Sequence, residues 1–213
     1  GSSRVSGPYV LYGRPGTGSA PVEAALFMSG LEHRIVDVPK ETGSAQHREL
    51  LKLNPMGQVP VLILPDGTVM TESAAMLIHL GEHDTGLAPL PLDARRPAWL
   101  RAMTFLATNL YNDFLNYYYS ERYCGEGGNA GAVKAAAAER IERGWKVFDG
   151  IYADAATGGT GILELYAATL VDWNEDIGAF ARNFPALAQM AARTARHPDV
   201  AGIWQRHGFR ALP

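Results

Sequence analysis

The stretch LNPMGQVPV, residues 53–61, followed after a turn by TES, residues 71–73, holds the residue types that point most directly to chemistry. Pro60 has no N–H to give to a sheet ladder, so at the start of a strand it serves as an edge or turn device. A cis Val59–Pro60 bond would aim the N–H and C=O of Val59 outward together, and an outward donor and acceptor pair grips a peptide backbone. Glu72 and Ser73 stand where a helix is expected to begin. The free N–H groups and the dipole of such an end favour a carboxylate, and Glu72 beside them would pair with an ammonium. A ligand that meets all three demands carries an amide and, at one end, an amino group and a carboxylate on the same carbon. Gamma-glutamyl-cysteinyl-glycine is such a ligand.

The elements that must hold these groups follow from periodicity. PYVLY (8–12) reads as a short apolar strand, SAPVEAALFMSG (19–30) as a helix ended by Gly30, and HRIVDV (33–38) as a second strand. SAQHRELLKLN (44–54) reads as a helix, VPVLIL (59–64) as a third strand, and TVM (68–70) as a fourth, antiparallel to the third across Pro-Asp-Gly. TESAAMLIHLGEHD (71–84) is helical by its apolar spacing, and the proline- and glycine-rich residues 85–92 read as a linker. Beyond it, residues 94–123, 129–155, 162–181 and 185–208 all carry helical periodicity, with no strand among them. The expected organisation is an α/β unit at 8–84 and an all-helical unit at 93–213.

LNPMGQVPVL, then DG, then TES opening an apolar helix closely resembles the glutathione-binding half of the glutathione transferase superfamily. The resemblance implies an α/β, thioredoxin-like N-terminal domain followed by an all-α C-terminal domain. It implies that Gln58 and Ser73 contact the γ-glutamyl carboxylate, Val59 pairs with the cysteinyl backbone, Pro60 is cis, and Glu72 holds the γ-glutamyl end. It further implies that His47 and Lys52 reach toward the glycyl carboxylate. By the same resemblance the co-substrate is glutathione, the second substrate is a hydrophobic electrophile or a peroxide, and the protein is a homodimer.

Such a site must make a thiolate, because a thiol of pKa about 8.5 is only a few per cent ionised at neutral pH. The superfamily keeps the responsible group between the first strand and the first helix, here YGRPGTGSAP (12–21). Its hydroxyl donors are Tyr12, Thr17 and Ser19, with Arg14 as a cation. A gapless register sets Gly16 where serine-type enzymes keep their serine and Gly18 where a cysteine often sits, which ranks Thr17 and Ser19 above Tyr12. Tyr12 also reads as a strand residue packed inward, and Ser19 as the N-cap of the first helix. For the second substrate, Tyr111, Tyr118 and Tyr119 with Arg122 present rings and charge on more than one face of a helix, although any one ring reads equally as packing. Trp173 reads as core. Gly161 and Glu164 stand where the superfamily caps a central helix with serine or threonine and aspartate.

Composition sets the outer limits. With 47% hydrophobic and 19% charged residues and a formal net charge of -3, the chain reads as globular and offers no basic field to nucleic acid. No apolar run of about 20 residues reads as a membrane span. The single cysteine, Cys124, excludes an internal disulfide and fits a cytoplasmic location. GSSRVSG, residues 1–7, reads as a cloning remnant. GRPGTG (13–18) lacks the lysine and spacing of a phosphate loop, His79 and His83 lack further partners for a metal, and Cys124 lies outside the thiol loop, so no metal is expected and no nucleophile is expected there. Two readings remain: an enzyme that conjugates glutathione to electrophiles or reduces peroxides with it, or a glutathione-binding or interaction protein of the same fold with little catalytic activity. The missing loop cysteine and serine-serine-cysteine signature disfavour disulfide-exchanging, dehalogenating and maleylacetoacetate-isomerising subtypes.

Overall fold

The computed structural model describes residues 7–210 and 212; the cloning-remnant reading lies, through residue 6, outside them. Strand β1 (Tyr9–Gly13) alternates buried and half-buried residues, helix α1 (Ser19–Met28) crosses over, and β2 (His33–Asp37) returns parallel to β1. After helix α2 (Ala45–Leu53), whose N-terminus is capped by the Ser44 hydroxyl accepting from the His47 N–H, come β3 (Val61–Ile63) and β4 (Val69–Met70), both antiparallel additions. The sheet order is β2-β1-β3-β4. Helix α3 (Ser73–Leu80) is shorter than the 71–84 expected, because Glu72 leaves the helical region at φ 68 and the chain turns at Gly81.

The helical half differs more from expectation. Residues 94–123 are not one helix: α4 (Arg96–Phe105) runs into a π-helical turn (Leu106–Tyr111), then α5 (Asn112–Tyr118) and a 3-10 turn (Ser120–Arg122). The 26-residue α6 (Ala130–Ala155) follows the periodicity closely. The next stretch breaks into α7 (Ile162–Asp172) and α8 (Ile177–Asn183), where the Asp176 carboxylate accepts from the Ala179 N–H and starts a new helix. The last breaks into α9 (Pro185–Arg196) and α10 (Ala201–Arg206) around Pro198, which cannot continue a helix.

One hydrophobic cluster runs through both halves, from Leu11 and Leu62 of the sheet through Ala24 and Leu26 of α1 to Tyr166 and Trp145 of the helical half. α1 is buried all round from Ser19 to Leu26 because it lies between the sheet and α7. A smaller cluster of Val38, Leu50 and Val61, with Tyr12 and Val59 against it, fills the space under α2. At the start of α7, the Gly161 N–H donates to Glu164 Oε2 at 2.9 Å, so the pair makes the expected cap. A glycine is required there for a further reason: a Cβ would fall 2.5 Å from the Leu87 carbonyl oxygen, which also accepts the Ile162 N–H at 2.8 Å. That contact fastens the proline-rich segment to the helical core.

Candidate functional site

The wall before β3 is built from its own neighbourhood. Asn54 is buried; its Nδ2–H donates to the Gln58 carbonyl at 2.9 Å and its Oδ1 accepts the Met56 N–H at 3.1 Å. These two bonds hold residues 54–58 in a fixed turn that delivers the cis Val59–Pro60 bond. Val59 lies outside the β3 ladder, and among the described residues no hydrogen bond engages its N–H or C=O. Opposite it, Glu72 holds an exposed carboxylate on a backbone at φ 68, a conformation that costs a non-glycine residue on the order of 1–3 kcal/mol and recurs at functional sites. The buried Ser73 hydroxyl is 3.2 Å from the Tyr166 hydroxyl of α7. Between Val59, Pro60, Glu72 and Ser73 lies a cavity of about 220 Å3 that also touches Tyr111 and Tyr166.

The loop after β1 is built differently. Thr17 Oγ1 donates to the Arg14 carbonyl at 2.7 Å and stands 2.9 Å from Ser19 Oγ, which itself donates to the same carbonyl at 3.1 Å and accepts the Arg14 N–H at 3.2 Å. Both hydroxyl protons therefore have acceptors inside the loop. The backbone of Gly16 is clamped from the helical half: its N–H donates to His207 Nδ1 at 3.1 Å and its carbonyl accepts the Trp173 indole N–H at 3.2 Å. Because Nδ1 of His207 accepts, the ring proton sits on Nε2, where it donates to Glu23 Oε2 at 2.7 Å. Arg206 Nη2 pairs with the same carboxylate oxygen. Burial pushes the Glu23 carboxyl up, and the hydrogen bonds from His207 and Arg206 more than reverse this, leaving it below its ordinary value of 4.5.

Tyr111, at the end of the π-helical turn, touches this loop as well. A Cβ at Gly18 would fall 2.9 Å from Tyr111 Cε2 and closer still to its hydroxyl, so only glycine leaves room for the phenol. Burial is the main cause that pushes the Tyr111 phenol up to about 12, with Glu72 and Tyr119 adding to it and the Gly18 N–H acting in the opposite sense. The ring is fixed by an edge contact with Trp173 at 4.9 Å between centroids and lies 6.2 Å from Tyr166.

A second cavity of about 500 Å3 opens beside the first and shares Gln58, Val59, Tyr111 and Leu115 with it. It is lined by Arg14, Thr17, His47, Tyr118, Tyr119 and Arg122, which the sequence assigns to three different parts of the site. Arg14 ties the loop to the β2–α2 connection through Nε to the Val38 carbonyl at 2.8 Å and Nη2 to the Pro39 carbonyl at 3.2 Å. Lys40 and Arg122 flank the Tyr119 ring at 5.6 and 4.2 Å from its centroid, which makes this end of the cavity cationic. His47 Nδ1 is buried there with no hydrogen-bond partner among the described residues.

Three expected residues lie elsewhere. Lys52 is 71% exposed and paired with Glu49 on the outer face of α2; five residues from His47 is a rotation of about 140° on a helix, so the two cannot share a cavity. Lys40, which the sequence reading passed over, lines the cavity instead. Tyr12 packs under α2 with Val38, Leu50 and Val61, and Ser19 is 2% exposed with its hydroxyl turned into the loop. Trp173 is half-buried at the cavity edge rather than in the core. Asn54, Tyr166 and His207 were also missed; of these only Asn54, immediately before a proline in the motif, carried a local signal. His79 lies 3.8 Å from Glu82, and His83 bonds the Tyr9 hydroxyl at 3.4 Å. Among the described residues no group of three or more His, Cys, Asp or Glu side chains is placed to hold a metal ion, and no helix is long and apolar enough to cross a membrane.

Residues 19–83 match the family described as glutathione S-transferase, N-terminal domain. The chain is similar to the uncharacterized GST-like protein YncG of Escherichia coli, 37% identical over 114 residues that make up 53% of this chain and 56% of that protein. It is 30% identical over 108 residues to the glutathione S-transferase GstA of Escherichia coli O157:H7, covering 49% of this chain and 53% of that one. The chain thus spans about half the length of these curated relatives. Among solved structures, a sphingomonad glutathione S-transferase complexed with glutathione superposes with a TM-score of 0.76 at 25% identity, over 94% of this chain and 100% of that one. A glutathione transferase homologue from Sulfitobacter with bound glutathione gives 0.79 at 22% identity, over 95% and 99%, a likeness of fold.

Proposed function

From the premise that this chain belongs to the glutathione transferase superfamily by its N-terminal domain and its fold, we propose that it binds glutathione and activates its thiol for attack on a hydrophobic electrophile or for peroxide reduction. The observation that carries this reading is the pairing of two complementary walls across one cleft: the unengaged main chain of Val59 on one side and Glu72 with Ser73 on the other. In this reading Glu72 pairs with the γ-glutamyl ammonium, Gln58 and the Ser73 end of α3 take its carboxylate, and Val59 takes the cysteinyl amide. The glycyl carboxylate goes to Arg14, Lys40 and His47, whose Nδ1 has no partner among the described residues. The second substrate lies against Tyr118, Tyr119 and Arg122. A cytoplasmic homodimer with a division at the 85–92 linker completes the proposal.

Calorimetry tests it. Glu72→Ala leaves the ligand ammonium unpaired and is expected to weaken glutathione binding by about 2–3 kcal/mol, roughly 30-fold to 150-fold. Unchanged affinity rejects the assignment. The alternative, a binding protein with little catalysis, predicts that bound glutathione shows no thiolate absorbance near neutral pH.

A further inference from the structure

Resting on the glutathione reading above, we propose that the Tyr111 hydroxyl, reaching the β1–α1 loop from the helical half, is the donor that holds the cysteinyl sulfur as a thiolate. A ligand with its γ-glutamyl end in the smaller cavity and its glycyl end in the larger one must lay its cysteinyl residue across their junction. That junction is formed by Gln58, Val59, Tyr111 and Leu115. Within it, the Tyr111 phenol is the side-chain donor that lies against the loop, in the space that a side chain at residue 18 would otherwise occupy. The loop's own hydroxyls are spent: Thr17 and Ser19 have the Arg14 carbonyl and each other as acceptors. The Tyr111 proton, by contrast, has no acceptor among the described residues.

The π-helical turn accounts for the reach. A π turn accommodates one residue more than an α-helix, and such turns recur at functional sites. Here it carries residues 106–111 and ends on Tyr111 itself, whose ring is then fixed by Trp173. A phenol is protonated at neutral pH and burial raises its pKa further, so it acts as a donor and not as a base. The glutathione thiol gives its proton to solvent, the phenol keeps its own, and the S⁻···H–O bond favours the ionised sulfur. Gly18, which leaves that register position without a side chain, becomes the residue that makes room for a donor from outside the loop.

Tyr111→Phe removes one oxygen and keeps the ring. The ultraviolet thiolate absorbance of bound glutathione is expected to titrate about one to two pH units higher than in the parent, which is roughly tenfold to a hundredfold less thiolate at neutral pH. Conjugation of chlorodinitrobenzene should fall in parallel and recover toward the parent rate above the new midpoint, while the Kd for S-methylglutathione, which has no thiol, stays within about twofold. Site-specific 3-fluorotyrosine at 111, a more acidic phenol of almost the same shape, should move the midpoint down. A midpoint unmoved in both, or S-methylglutathione binding lost along with glutathione binding, overturns the proposal. A parent protein that does not bind glutathione overturns this inference together with the function above; a parent that binds and ionises it, with an unmoved variant, overturns this inference alone.

Discussion

The turn at residues 54–58 is held by Asn54, at most four residues from the groups it bonds, whereas Gly16 in the loop across the cleft is held by side chains 157 and 191 residues away. The first turn can form as soon as α2 and β3 are in place. The second has its final geometry only after α7 and α10 have docked on α1. In the proposed reading, ligand recognition rests on contacts local to the α/β half, and thiol activation rests on contacts between the two halves. Each of the following variants separates the two or shows them to be one.

The largest effect is expected at Glu23. Glu23→Ala leaves buried His207 and the Arg206 guanidinium without their shared partner, at a cost of about 2–4 kcal/mol of unfolding free energy by urea titration. Turnover should fall more than glutathione affinity; an equal loss of both would break the comparison. Glu23 also gives a pH signature. Its folded pKa lies below 4.5, so in that window the unfolded chain binds more protons, and the stability this carboxylate contributes is present above 4.5 and lost as pH falls through the folded value. Glu23→Gln should flatten that part of the stability profile.

Next comes Asn54→Ala, which orphans the Gln58 carbonyl and the Met56 N–H. We expect glutathione Kd to rise about tenfold, equivalent to roughly 1.4 kcal/mol, with the thiolate midpoint unmoved. A shifted midpoint would mean that the two loops share a support. The smallest effect is expected for Trp173→Phe, which removes one bond to the Gly16 carbonyl and should cost about 1 kcal/mol or less. It should raise the thiolate midpoint by a few tenths of a unit while leaving Kd alone.

The same division explains what could be read from the sequence. The order of strands and helices through residue 80 and the cis bond before Pro60 rest on contacts between near neighbours, and each left a local mark: a Pro-Asp-Gly turn and a proline at a strand's edge. Lys52 was avoidable by counting, since its angle from His47 follows from helical geometry alone. Trp173 and His207 left no such mark, and Tyr111 was marked only as a ring for the second substrate, because their partners are backbone groups of a distant glycine loop and their own neighbours spell ordinary helix. The breaks in the helical half were partly signalled, by Asp176 as a cap and by Pro198, but the apolar spacing runs through the π-helical turn without interruption. Glu72 at φ 68 had no glycine or asparagine to announce it.

The π-helical turn has a consequence for how this helix can vary. Because it holds one residue beyond what an α-helix would use, the flanks at Trp99 and Phe114 both keep their core faces, and a single-residue deletion within 106–110 would restore regular winding without turning either flank away from its neighbours. What such a shortening removes is the offset that brings Tyr111 against Gly18. One codon thus separates the architecture from the proposed thiolate donor.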